Sequence, residues 1–595
     1  MGPGRRRVWR RVPAVLATAV LCVFLLFSAA PPRPGSSDPG GVPPFESSLP
    51  RVPGTDAPVP STALFVSPHG ADHATGGRGD PLRTLNEAVH RAESGTTVVL
   101  REGTYRQSVG IVRKRLHIRS FPGERVWFKG SRIITDWTRT SGGWAHTGWN
   151  PDFCRDCFLP AIIDPAHPHA GLAEMVFRDG TPLRQVDTRR ELEPGTFLSD
   201  PSAGVLLVGS DPNGATVEVA TRPWLLQFDG PAAAGSSLRG VGVAHYASRQ
   251  EYGRQGAMVV VNSPRVTLEG NAFVWSASSG TAVFAPEAKV VDNVFSDNGL
   301  VGLMANRAHR IRLSGNLAAR NNRERFALSG PAIGAAGMKI TRTDRPVVRG
   351  NTFLDNLGTG WWCDLGCTNA LVLGNVTRGN LKHGLFYEVS SAALLASNLI
   401  ADNDGLGVKL SSSDRVRLVH NTFTGNNGSL GLYNDPRPPD SDRYSAARGL
   451  SWITGETRLV NNYFAGTAGR HPFFSAADHK PRSAPTPEFV SHSDGNVYLR
   501  GEEKHLGDWY LGSGVTERIE DLSELTERTG HGEHSVHTRF PGTPFRAPER
   551  GNHLLRDGVP GRGAGRPTPP ETAERLGVPP RRHPDVGLLV PPGRS

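Results

Sequence analysis

Residues 351–364 read Asn-Thr-Phe-Leu-Asp-Asn-Leu-Gly-Thr-Gly-Trp-Trp-Cys-Asp, and residues 375–388 read Asn-Val-Thr-Arg-Gly-Asn-Leu-Lys-His-Gly-Leu-Phe-Tyr-Glu. They are one unit written twice, with Asn at its first and sixth places, Gly at its tenth and a carboxylate at its fourteenth. The opening Asn recurs at Asn271, Asn293, Asn316, Asn351, Asn375, Asn398 and Asn421, at spacings of 22, 23, 35, 24, 23 and 23 residues. A second Asn follows five residues later at Asn298, Asn321, Asn356, Asn380, Asn403 and Asn426. A fixed period of this size in a Gly-rich chain marks a solenoid, whose units bury their apolar edges only against their neighbours. Short apolar runs such as Ile311–Leu313 and Val416–Leu418 alternate with turn residues and show no helical period, so each unit reads as one coil of an all-β, parallel β-helix. The Asn positions should then stack into ladders inside the turns.

Register carries the argument from fold to chemistry. With Gly302, Gly337, Gly360, Gly384 and Gly407 taken as equivalent, the residues one and three places on are mostly apolar and should point inward. The residues two places on, Met304, Lys339, Trp362, Phe386 and Lys409, should point outward. So should those four places on, Asn306, Thr341, Asp364, Glu388 and Ser411. Asp364 and Glu388 then lie one coil apart, about 4.8 Å between backbones, beside two lysines and two aromatics on one face. Carboxyl groups about 5–5.5 Å apart suit a retaining glycosidase. Like charges so close cannot both ionise freely, so one becomes a usable acid. The plain alternative is a pair of surface carboxylates balanced by Lys339 and Lys409, although stacked like charges without a task are unfavourable in a ladder. His383 and Tyr387 are candidates for supporting groups, and Trp361 or Trp362 for a sugar-stacking ring.

Composition fits this reading. The chain has 595 residues, 70 Gly and only 7% aromatic residues, which suits turn-rich β structure and allows more than one domain. Its formal charge of +11 includes five arginines in the first eleven residues, and without them +6 remains, dispersed along the chain. A nucleic-acid partner is therefore not expected. Residues 1–30, Arg-rich and then uncharged from Val12 to Ala30, read as a signal peptide or signal anchor, so the protein should be secreted or held on the outer face of the membrane. Residues 31–61 read as a Pro/Gly/Ser-rich spacer. Beyond Cys22 the cysteines form two close pairs, Cys154/Cys157 and Cys363/Cys367. In an exported chain they read as two disulfides, with three connectivities open, and a four-Cys zinc site is the alternative. A Cys363–Cys367 bridge would require the strand to bend just after Asp364.

Asp297, Asp355 and Asp402 share one offset but skip coils, which suits turn capping better than a calcium cage. The segment His531-Gly-Glu-His-Ser-Val-His reads as solvated loop, and no metal site is expected. Extra residues between Asn316 and Asn351 (323–336) and between Asn421 and Asn462 should wall the groove, favouring short chains or chain ends as substrate.

Near the start, Leu64-Phe-Val-Ser-Pro-His-Gly, a helical stretch placing Leu82, Leu85, Ala88, Val89 and Ala92 on one face, and Gly95-Thr-Thr-Val-Val-Leu resemble the capped beginning of exported right-handed parallel β-helix enzymes of polysaccharides. Glu174-Met-Val-Phe-Arg-Asp-Gly and Glu193-Pro-Gly-Thr-Phe resemble the small inserted β-domain of β-helix glycosidases. Gly337-Met-Lys-Ile, Gly360-Trp-Trp-Cys-Asp and Gly384-Leu-Phe-Tyr-Glu resemble the catalytic coils of the β-xylosidase-like group. The resemblance implies a cap and first coils at 62–143, an inserted domain at 144–225, the main β-helix at 226–470 and an irregular or β segment packing on it at 471–595. It implies Asp364 as nucleophile and Glu388 as acid/base, no cofactor, and a polysaccharide or oligosaccharide substrate for a monomer. Lys339, Trp362, Phe386, Lys409, Asn306 and His383 would contact that substrate. A polysaccharide lyase or epimerase with Lys339 as base, in which calcium would enter, and a non-catalytic glycan-binding solenoid are the rival readings.

Overall fold

Each Asn of the first ladder donates its Nδ2 to the Oδ1 of the next. The bonds run from Asn271 through Asn293, Asn316, Asn351, Asn375, Asn398, Asn421 and Asn462 to Asn496, at 2.8–3.1 Å. A second ladder runs from Asn298 to Asn426. The same amides reach back to backbone carbonyls of the preceding coil, as Asn375 does to Val348, so these buried side chains are satisfied in both directions.

This computed structural model describes residues 49–154, 156–248, 256–328, 334–469, 471–480, 486–503 and 505–589. The expected signal segment lies outside them, as does the spacer up to residue 48. Among the described residues no helix is long and apolar enough to cross a membrane. The coils align three long sheets of 13 strands each, beginning at Leu64–Val66 (sheet 1), Gly110–Val112 (sheet 2) and Gly103–Tyr105 (sheet 3). Pairing within them is parallel except where Gly507–Gly512 meets Val515–Ile519 at the end of sheet 2. The interior is apolar, with Phe273 stacked on Phe295 at 5.2 Å and Phe423 on Phe464 at 4.7 Å. The helix Leu85–Arg91 closes the first coil. Thr84 caps it by accepting the Glu87 N–H, while Leu82, Leu85, Ala88 and Ala92 join the core.

Three boundaries differ from the sequence reading. The inserted domain already begins at Ser131–Ile134, which pairs with Val217–Ala220, and its two sheets have four and five strands. The β-helix does not end at 470: strands continue to Val536–Thr538, with Asn462 and Asn496 extending the ladder past the loops that hid their spacing. Residues 49–61 are not free spacer. Leu49 and Val52 pack against the cluster of Trp127, Ala244, Ala272 and Val274, the Gly54 N–H donates to Gly270 O at 3.1 Å, and Arg119 reaches Pro58 O.

Asn375 accepts two hydrogen bonds from Asn351 and donates two, all at 2.9–3.0 Å. Asn375→Ala strands those partners in a dry turn and should cost about 3 kcal/mol, read as a lower urea midpoint in a chain whose far-ultraviolet dichroism is unchanged. A midpoint equal to the parent's would show that the ladder is dispensable.

Candidate functional site

Sheet 2 builds the site. Its strands Val301–Asn306, Ala336–Thr341, Thr359–Asp364, Leu385–Glu388 and Leu406–Ser411 pair in register, so that Met304, Lys339, Trp362, Phe386 and Lys409 form one outward column. Asn306, Thr341 and Asp364 start a second column, and Glu388 and Ser411 continue it. Leu303, Met338, Trp361, Leu385 and Val408 point inward, and Trp361 is wholly buried, so it is a core residue and cannot stack on a ligand. Tyr387 also turns inward, its hydroxyl donating to Cys367 O and Ser391 O at 3.0 Å.

Each strand leaves the sheet through a left-handed residue: Arg307, Arg342, Leu365, Val389 and Ser412. Val389, β-branched at φ 46°, is the unusual member and follows Glu388 directly. Asp364 is fixed similarly. The Cys363–Cys367 disulfide, Cα–Cα 6.0 Å, spans the turn behind it, and Gly366 at φ 102° lies where a Cβ would sit 3.0 Å from the Tyr444 ring. Cys154 and Cys157 form the second disulfide, inside the inserted domain between its strands Gly143–Thr147 and Val176–Arg178.

Outward side chains interlock across coils. Lys339 Nζ lies 3.3 Å from Asp364 Oδ2 and 3.4 Å from the centre of the Trp362 ring, which makes it a counter-ion. Trp362 stacks on Phe386 at 5.1 Å and donates Nε1–H to Glu388 Oε2 at 3.1 Å. Lys409 Nζ sits over Phe386 at 4.7 Å and Tyr433 at 5.5 Å. Asp364 Oδ1 is buried without a hydrogen-bond partner among the described residues. Asn306 stands two coils from Asp364 and does not join this cluster, although its Oδ1 is likewise buried and unpaired. His383 meets Phe386 edge-on at 5.5 Å and accepts the Leu406 N–H through Nδ1 at 3.2 Å, so it braces the aromatic. Burial holds its imidazole well below the ordinary range.

The residue the repeat could not reveal is Arg437, from the long loop after Asn421. Its guanidinium bonds Glu388 Oε1 at 2.9 Å and Asp435 at 2.7 Å and lies over Trp452. Burial, then the Asp364 charge, push the Glu388 carboxyl up to about 7 against the pull of Arg437, Lys339 and Lys409. Burial lowers Lys409, and brings Lys382 down to about 8.

Residues of both insertions pack beside the two columns. Phe326, from residues 323–336, packs on Phe158 of the inserted domain at 5.0 Å, in a cluster with Met304 that Trp362 borders. The loop carrying Arg437 closes the other side, with Lys480 Nζ donating to Arg437 O at 2.6 Å. Away from the groove, Asp297 pairs with Arg320 and Asp402 with Arg378, as turn residues at positive φ.

Residues 248–392 match the family model described as "Right handed beta helix region". The solenoid is a right-handed β-helix. Residues 324–468 of this β-helix also match the model "Periplasmic copper-binding protein (NosD)". Its donors do not suit copper: Cys363 and Cys367 are bridged, His383 is engaged by backbone, and His420 Nε2 lies 3.0 Å from Thr568 Oγ1. Among the described residues no three His, Cys, Asp or Glu side chains converge as a metal site. The structure titled "The complex structure of XylC with xylose" superposes with TM-score 0.58 at 14% identity, over 81% of this chain and 87% of that one. One titled "Glycoside hydrolase" gives 0.42 at 14% identity (70% and 96%), and the Azotobacter vinelandii mannuronan C-5 epimerase AlgE4 A-module 0.43 at 13% (77% and 93%). A Bacillus subtilis (strain 168) protein, "Uncharacterized protein YwoF", is 36% identical over 75 residues, 12% of this chain and 16% of that protein.

Arg437 favours the carboxylate form of Glu388 and Asp364 disfavours it. Arg437→Met should therefore move the Glu388 titration above about 7, and Asp364→Asn should move it below. Carbon-13 NMR of labelled glutamate carboxyls reads both, and shifts of the same sign would break the electrostatic assignment.

Proposed function

We propose that this chain is a retaining glycoside hydrolase with Asp364 as nucleophile and Glu388 as acid/base. The observation that carries the reading is the pairing of two carboxylates on neighbouring strands of one walled groove. Asp364 has an unpaired oxygen, and Glu388 is raised to about 7 by burial and by Asp364. In the first step Asp364 would attack the anomeric carbon while the glycosidic bond breaks and the Glu388 proton passes to the leaving oxygen. In the second, Glu388 takes a proton from water, which displaces Asp364 and returns the sugar with its original configuration. Strand spacing supports a retaining rather than an inverting separation.

Trp362 and Phe386, whose ring faces are taken by each other and by Lys339 and Lys409, would present ring edges to the sugar. Packing of Phe326 and of the Arg437 loop beside the carboxylates favours a chain end, and the xylose named in the XylC title makes aryl xylosides the first substrates to try. Two disulfides support an exported chain. Lys339, set against Asp364 and under the Trp362 ring, is poorly placed as the free base a lyase needs.

Glu388→Gln should lower hydrolysis of sugars with poor leaving groups by about 10²–10⁴-fold, and aryl glycosides whose leaving group needs no proton should suffer less. Asp364→Asn should abolish both. Parent activity should fall as pH rises through about 7, because Glu388 then loses the proton it must donate. Aryl release followed by product-configuration NMR tests this. Silence on every aryl glycoside, with Lys339-dependent ultraviolet absorbance on polyuronates, would make the protein a lyase.

A further inference from the structure

Sheet 1 carries a second groove, on a different face of the β-helix from the carboxylates. One outward column in register reads Arg312, Val347, Leu371, Leu394, Arg417 across five neighbouring strands. The backbones of its two arginines lie four strand steps apart, about 19 Å. The helix Pro570–Leu576 contributes Glu571 and Arg575 to the lining of an open cavity of about 480 Å³ over this column. Six arginines line it, Arg310, Arg312, Arg345, Arg415, Arg417 and Arg575, against one acid, Glu571.

Four of those arginines have carboxylate neighbours: Arg310 with Glu287 at 2.6 Å, Arg345 with Asp344 at 3.6 Å, Arg415 with Asp414 at 3.4 Å and Arg417 with Glu571 at 3.1 Å. These arginines are partly or largely exposed, so the pairs can exchange partners at little cost. Arg312 and Arg575 are exposed and form no ion pair within 4 Å among the described residues, although Arg575 lies near enough to Glu571 to stabilise its carboxylate. The cavity is thus cationic at its edges, with an apolar floor of Val347, Leu371 and Leu394.

We propose that this groove binds an acidic polysaccharide, its carboxylates taken by the guanidinium forks of Arg312 and Arg575 and its sugar CH faces resting on Val347 and Leu371. Guanidinium presents paired N–H groups that match a carboxylate's two oxygens. Among the described residues no aromatic side chain lines the cavity. A neutral glycan or a single-stranded nucleic acid would therefore find nothing to stack on. The floor belongs to interior strands of a parallel sheet, whose backbone groups are already paired, so an extended peptide gains no main-chain bonds here. A concave cleft walled by a helix also does not fit a flat lipid surface. The site is independent of the glycosidase reading, and it would hold an acidic polymer whichever reaction the other groove performs.

The test is binding of polygalacturonate to the full chain, compared with Arg312→Glu/Arg575→Glu, at low and raised salt. The double variant should lose about tenfold or more in affinity, the parent's affinity should fall with salt, and aryl-glycoside turnover should not change. Arg312→Gln, a milder change at an exposed side chain, should show a smaller loss in the same direction should the double variant fold poorly. Asp364→Asn should bind the polymer as the parent does. Equal binding by the charge-reversed protein, loss of binding in Asp364→Asn, or preference for polyglutamate or anionic lipid vesicles over polygalacturonate would overturn the proposal.

Discussion

The interaction on which the rest depends is the coil-to-coil bond between stacked asparagine side chains. A parallel β-helix has no long-range packing against a distant layer to set its register. Each coil must be held by the next, and a one-residue slip would turn every inward side chain outward. An amide whose Oδ1 accepts from the coil before it, and whose Nδ2 donates to the coil after it, removes that freedom. Asn351, Asn375 and Asn398 do this in succession, buried where water cannot substitute. The glycine column accompanies them for a steric reason: a Cβ on Gly360 would sit 2.6 Å from Gly384 O and 2.9 Å from the Asn380 amide. Ladder and glycines together fix the strand spacing, and the strand spacing sets the distance between Asp364 and Glu388.

Position alone does not make two carboxylates different, but their neighbours do. Asp364 faces the Lys339 ammonium and keeps one oxygen unpaired, whereas both Glu388 oxygens are engaged, one by Trp362 and one by Arg437. Glu388 rises to about 7 even so, because burial outweighs those partners and Asp364 adds its charge to the burial. The electrostatics are therefore set by the lid as much as by the sheet. Arg437 is carried on a loop and is partly exposed, so the group that tempers Glu388 lies outside the regular repeat.

The periodic part of this architecture could be read from residue order. Asn271 to Asn421 mark the coils, the glycines set inward against outward, and Asp364 and Glu388 follow on one face. What could not be read has no period. Arg437, Phe158 and Phe326 lie in insertions, and no column assigns them a direction, yet they enclose the groove. Loops of uneven length also hid Asn462 and Asn496, so the β-helix runs further than its regular spacing indicates. Residues 49–61 have the composition of a spacer, but Leu49 and Val52 pack against the apolar cluster around Trp127 and Val274, a tertiary contact that no local pattern encodes. His383 and Tyr387 show the converse: residues of reactive type in a catalytic coil, committed to holding the coil itself.

A solenoid has identical faces until something breaks the repeat, so its chemistry must lie in the departures. On sheet 2 the departure is two acids replacing the neutral residues of their column, and the insertions gather over them. On sheet 1 it is a row of arginines around three aliphatic residues, with the C-terminal helix laid alongside. Both use the same device, a flat parallel sheet giving rows about 4.8 Å apart that an irregular segment turns into a cleft. The aromatics distinguish them. Trp362 and Phe386, stacked on each other between Lys339 and Lys409, give the first cleft an aromatic wall beside its carboxylates. The second cleft has none among the described residues, and offers guanidinium groups around an aliphatic floor instead.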